Sequence, residues 1–142
     1  MKTICLLGVV LLAASLLNAA DFSNATFKGT YALGFSGTDL TIGPIAGTGL
    51  LISDGEGGLT GSQTINDGGI VCDENLSGNY SIDADGTGSG SLTVESTSGG
   101  GICEAAVGNV VTFSLVLAGN GRSLRLSETN SNYVILATAQ RQ

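Results

Sequence analysis

Apolar side chains along this chain recur at every second position, between short runs rich in glycine. Along TFKGTYALGF, Phe27, Gly29, Tyr31, Leu33 and Phe35 fall on one face, opposite Lys28, Thr30 and Ala32. Along LSGNYSID, Leu76, Gly78, Tyr80 and Ile82 oppose Ser77, Asn79, Ser81 and Asp83. Val111, Phe113, Leu115 and Leu117 repeat the pattern, as do Leu92 and Val94. A period of two marks strands with one buried face. Between them lie SDGEGG (53–58), NDGG (66–69), DADGTG (83–88), TSGGG (97–101) and AGNG (118–121), whose Asp-Gly and Asn-Gly pairs favour the positive φ of tight hairpins.

The punctuation predicts strands near 26–36, 46–53, 58–66, 69–74, 76–83, 89–96, 102–107, 110–118, 122–128 and 132–139. Regular spacing with tight turns points to an all-β fold, a single antiparallel meander. An open meander leaves edges that invite aggregation, and closure removes them. The expectation is a small up-and-down barrel of about 8–10 strands, with a two-sheet β-sandwich as the alternative. Gly29, Gly34, Gly49, Gly61 and Gly78, inside strands, allow the bends that closure needs.

The first 20 residues stand apart. Lys2 precedes an apolar run from Ile4 to Leu17, with Ala19 and Ala20 after it. The run has the length of a secretory signal and is too short for a membrane span. Residues 1–20 therefore read as a signal peptide cut after Ala19 or Ala20, and 21–142 as a single β-barrel-like domain. The product is expected to be secreted or periplasmic, without membrane insertion after cleavage. The domain keeps Lys28, Arg122, Arg125 and Arg141 against twelve acidic residues. Phosphate recognition needs clustered Lys and Arg, so nucleic acid is excluded as a partner.

Without the leader and its Cys5, two cysteines are left, Cys72 and Cys103. In an oxidising compartment the inference is one disulfide. The chain has no histidine, which argues against a thiolate metal or catalytic site and removes the usual general base for a Ser or Cys nucleophile.

Candidate chemistry is sparse. Asp83 to Ser91 resembles the start of a calcium loop, with Asp85, Thr87, Ser89 and Ser91 at ligand spacing and Gly88 at the sixth position. The twelfth position is Val94 instead of Glu, and the flanks alternate as strands, so an Asp-Gly hairpin accounts for the same residues. Asp54 and Glu56 read the same way. Carboxylate catalysis needs two acids facing across a cleft. Most acids here sit in turns (Asp54, Glu56, Asp67, Asp83, Asp85) or outward (Glu95), while Asp73, Glu74 and Glu104 flank the cysteines as the charged margin of a surface cross-link. No catalytic, metal or cofactor-binding residue is assigned.

FKGTYALGFSG, AGTGLLISDGEGGLTG, LSGNYSIDADGTG and the final LATAQRQ together resemble an uncharacterised group of exported bacterial β-rich domains with G-x-Y strands and D-G-x-G hairpins. The resemblance implies a secreted barrel-like domain with no activity attached. Three readings follow: a non-enzymatic barrel holding a small apolar ligand or a protein partner, a structural or interaction protein of the cell surface or matrix, and a carboxylate-based hydrolase. In the first, side chains such as Tyr31, Leu33, Tyr80, Ile82, Phe113 and Leu115 compete with a ligand for the interior.

Overall fold

The structure, a computed structural model, describes residues 21–142; the signal peptide read at 1–20 lies outside the described residues. After a 3-10 turn at Asn24–Phe27 come eight strands: β1 (Gly29–Asp39), β2 (Gly43–Ser53), β3 (Gly58–Asp67), β4 (Ile70–Ile82), β5 (Thr87–Ser98), β6 (Val110–Ala118), β7 (Ser123–Glu128) and β8 (Tyr133–Arg141). One helical turn, α1 (Gly101–Glu104), interrupts the connection from β5 to β6. Each strand pairs antiparallel with the next, and β8 returns to β1, from Tyr31 opposite Arg141 to Asp39 opposite Tyr133. The sheet is a closed up-and-down barrel, and the sandwich alternative falls away.

Local chemistry explains the hairpins. The Asp54 carboxylate accepts the backbone N–H groups of Glu56, Gly57 and Gly58 at 2.7, 3.0 and 2.9 Å. That side chain thereby supplies the partners a tight turn otherwise lacks. Alternation then sends Leu51, Leu59, Leu76, Tyr80, Phe113, Leu115, Leu124 and Ala139 into one buried cluster.

Three of the ten predicted segments are corrected. The segments 69–74 and 76–83 are one strand, β4. The register shift at this point lies in its neighbour: Asn75 pairs with Ser96 and Leu76 with Val94, leaving Glu95 of β5 as a bulged extra residue. Segment 102–107 is not a strand. Gly99 and Gly100, at φ +129° and +104°, turn the chain out of the sheet. Local bonds follow, Cys103 N–H to the Gly100 carbonyl and Ala106 N–H to that of Cys103, both 2.9 Å.

The barrel has two unlike ends. At the first, Asn24–Phe27 enters as a plug. Phe27, 0 % exposed, packs between Tyr31 and Tyr80 with ring centroids 4.8 and 4.9 Å away. The Tyr31 hydroxyl donates to the Gly121 carbonyl at 2.5 Å. Ser53 donates to the Tyr80 oxygen at 2.7 Å, and that hydroxyl donates to the Asn24 carbonyl at 3.1 Å. Gly121 must be glycine: its φ is +77°, and a Cβ there would run into the Thr26 carbonyl. The other end holds the turns after β1, β3, β5 and β7, with α1 folded over it.

Candidate functional site

At the α1 end the inward side chains do not fill the barrel. A cavity of about 370 Å³ opens there. Leu33, Phe35, Ile65, Val111 and Ile135 point inward yet are only half-buried, because they face this space. Gly47, opposite Phe35, helps set its width: a Cβ at that position would collide with the ring. Leu51, Leu92 and Val94 line it deeper, above the aromatic plug. Its roof is the α1 segment, through Ile102, Cys103, Ala105 and Ala106.

The Cys72–Cys103 disulfide predicted from the sequence is formed, with Cα atoms 5.7 Å apart, and it ties this roof to β4. Both cysteines are buried. The expected margin of carboxylates around the link is corrected by strand parity. Asp73 points outward to accept from Thr64 Oγ1 at 2.5 Å, Glu104 is exposed, and Glu74 points inward, 4 % exposed.

Glu74 is one of four carboxylates that line the cavity; the others are Asp39, Asp67 and Glu128, at the last positions of β1, β3 and β7. Asp67 is therefore not simply a turn residue, and Asp39, Gln63, Glu128 and Tyr133 join it as site residues that the sequence reading missed. Each sits at inward parity, two or four residues from an apolar core position, and that parity is the signal that could have found them. The β5 bulge changes the direction of Thr97, which without the extra residue would face solvent and instead stands opposite Glu74 in the register, outside the cavity lining.

The four acids have different environments. Asp39 is 3 % exposed, yet its carboxylate accepts from Thr41 Oγ1 at 2.5 Å, the Thr41 N–H at 2.7 Å and the Ile42 N–H at 3.2 Å. These bonds, chiefly that from the Thr41 hydroxyl, hold its carboxyl below the usual range and keep it charged. Its neighbours shift the other way. Glu128 is pushed up to about 7, first by burial and then by the Asp39 charge. Asp67 is raised by burial, by the Asp39 charge and by a side-chain hydrogen bond with Asp39. Burial raises Glu74 despite a 2.8 Å hydrogen bond from Gln63 Nε2. The Tyr133 hydroxyl is raised by burial and by the charges of Asp39, Glu128 and Asp67.

Two buried side-chain oxygens of the cavity have no hydrogen-bond partner, Asp67 Oδ1 and Glu128 Oε1; Thr97 Oγ1, beside Glu74 but outside the cavity lining, has none either. Buried acceptors without donors cost about 1–3 kcal/mol each, so such groups call for a partner. A shallower depression of about 760 Å³ runs across β1 to β5; some of its polar groups pair with one another, Thr64 with Asp73 and Asn75 with Ser96, while Thr97 Oγ1 does not.

The Asp83 and Asp54 loops lie at the plugged end and act as turns. The Asp85 carboxylate accepts from the Thr87 N–H at 2.9 Å and from its hydroxyl at 2.6 Å. Among the described residues no group of three or more His, Cys, Asp or Glu is arranged to hold a metal ion, and no helix is long and apolar enough to cross a membrane. Tyr31 and Tyr80 belong to the plug, and Tyr133 to the cavity.

No protein-family model matches the chain, and no curated protein does. Among solved structures it is similar to a redesigned β-barrel, mFAP1, solved bound to DFHBI. The identity is 17 %, the match covers 83 % of this chain and 97 % of the other, and the TM-score is 0.59. At that identity the likeness shows the fold alone. The M. tuberculosis protein Rv2717c aligns at 14 % identity over 82 % of this chain and 93 % of its own, with a TM-score of 0.39, too low to carry an argument.

Proposed function

We propose that the protein is a non-enzymatic binding barrel that takes a small apolar molecule into the unfilled half of its interior. The observation that carries this reading is the cavity of about 370 Å³, walled by half-buried Leu33, Phe35, Ile65, Val111 and Ile135. A well-packed interior leaves few voids larger than a water, and apolar walls with a few convergent polar groups are what small-molecule sites offer. The name of the mFAP1 complex supports it by analogy, since that barrel was solved with DFHBI bound.

Export belongs to the same proposal. A disulfide persists in oxidising compartments, which agrees with a leader at 1–20 and a domain at 21–142 working in the periplasm or outside the cell. The grouping with exported G-x-Y, D-G-x-G domains stands as part of this reading. A surface partner is the second reading, favoured by exposed Leu40, Ile42, Val71, Ile102 and Val107 at the cavity end.

Two acids of unlike pKa in a pocket also revive the hydrolase reading, but Asp39 spends its carboxylate on Thr41 and Ile42. That leaves it poorly placed as a nucleophile or base. Native mass spectrometry of protein purified from its own host, with solvent extraction, tests the ligand. One bound organic molecule per chain is the expected result. A bare chain that also fails to saturate with n-octanol in calorimetric titration would overturn the proposal.

A further inference from the structure

The ligand-binding reading leaves open what kind of molecule enters, and the charges around the cavity narrow it. The cavity is lined by Asp39, Asp67, Glu74 and Glu128 and by no Lys or Arg. The basic residues of the domain are all elsewhere. Lys28, Arg122 and Arg141 lie at the plugged end, next to the start of β1, the turn after β6 and the end of β8, and Arg125 points outward between buried Leu124 and Leu126. The chain thus builds a negative interior and supplies no countercharge to it.

The hydrogen bonding is equally one-sided. Asp39 is satisfied by Thr41 and Ile42. Glu74 has a single partner, Gln63, for one oxygen. Asp67 Oδ1 and Glu128 Oε1 are buried with none. These last two stand at the ends of β3 and β7, on opposite sides of the ring and both at the cavity end, each close enough to Asp39 to feel its charge. The apolar wall continues below them to Leu51, Leu92 and Val94. Acceptors at the mouth over an apolar shaft fit a molecule of matching polarity.

Resting on the binding proposal above, we infer that the ligand is an apolar amine: a protonated primary or secondary nitrogen that donates to an unpartnered carboxylate oxygen at the mouth, that of Asp67 or that of Glu128, with its hydrocarbon body directed down the barrel. An ammonium supplies both the missing donors and the missing positive charge, and charge-assisted bonds of this kind are about twice as strong as neutral ones. An alcohol of equal length would supply a donor without the charge. A carboxylate would meet like charge.

Calorimetric titration of the oxidised protein with n-octylamine, n-octanol and n-octanoate at pH 8 tests this. Octylamine is expected to bind about tenfold or more tightly than octanol, the ratio that about 1.4 kcal/mol gives, and octanoate should not bind measurably. In the Asp67→Asn/Glu128→Gln double variant, checked for its β circular dichroism spectrum, the amine-to-alcohol ratio should collapse toward one. Between pH 8 and pH 5 the amine stays charged while the site takes up protons. The groups that interact with Glu128 are Asp39 on β1 and Tyr133 on β8, neither of them basic, so amine affinity should fall as pH falls while octanol affinity holds. Octanol binding as tightly as octylamine to the unaltered protein would overturn the inference and leave the binding barrel standing. No binding by any of the three would remove both.

Discussion

At the end plugged by Asn24–Phe27, polar groups that enter the barrel meet partners: Tyr31 finds the Gly121 carbonyl, and Tyr80 finds Ser53 and Asn24. At the end roofed by α1, Asp67 and Glu128 each keep a buried oxygen unpartnered, above a space that protein does not fill. The same eight strands run through both. The difference lies in what each end was given: one receives an aromatic side chain from the N-terminal segment, the other four carboxylates. Core packing is complete at the plugged end and relaxed at the roofed one, and departures of this kind from consistent packing are expected at functional sites.

The widest separation between the halves should come from truncating one phenylalanine in each. Phe27→Ala empties the space between two tyrosine rings and should cost about 3–5 kcal/mol, whereas Phe35→Ala, whose ring already borders a void, should cost about 1–2 kcal/mol. Urea unfolding followed by circular dichroism measures both. Equal losses would mean that the cavity end is as tightly packed as the plug.

Removing the cross-link should come next. The Cys72→Ala/Cys103→Ala variant opens a loop of 31-residue separation, and loop entropy assigns such a link about 3–4 kcal/mol. The roof depends on this bond, while the plug has its own hydrogen bonds. Hydrogen exchange should therefore rise more at Gly101–Val107 than at Asn24–Phe27, which feels only the loss of global stability, and an equal rise across both would contradict the division.

The sequence disclosed the closed half more fully than the open one, for a physical reason. Alternation reports which side chains leave water, and Tyr31, Tyr80, Leu115 and Leu117 obey it plainly. It also places Glu74 with Cys72 and Leu76, and Glu128 with Leu124 and Leu126, but acids ordinarily belong to solvent, and that rule hides their inward parity. Asp67 was assigned to a turn because Asn66-Asp67-Gly68 is turn chemistry, and it is the last strand residue as well. Thr97 was beyond reach: its direction depends on the bulge at Glu95, which only the pairing with β4 reveals. The Ile102–Val107 segment is a short, mostly apolar run between turn signals and reads as a strand, and two glycines with a disulfide fold it into a roof instead.

The smallest expected effect is also the one that isolates the open half. Glu128 is raised from an ordinary value of 4.5 to about 7. A carboxyl raised on folding binds its proton more tightly in the folded than in the unfolded chain, so its contribution is fully present below the ordinary value. The contribution is lost as pH rises through the folded one. Asp67 and Glu74, also raised, act in the same direction, while Asp39, lowered, withdraws support only in stronger acid. The empty barrel should therefore melt at lower temperature at pH 8 than at pH 5. Glu128→Gln keeps the shape and removes the titration, so the variant should gain on the unaltered protein at pH 8 and lose that gain by pH 5. Solvent reaching the mouth holds the difference to about 1 kcal/mol or less. Nothing at the plug can produce this slope, because Tyr31 is raised above a range that already lies well beyond pH 8. Melting curves of the two proteins that stay parallel from pH 5 to pH 8 would place Glu128 in water and remove the asymmetry between the two ends.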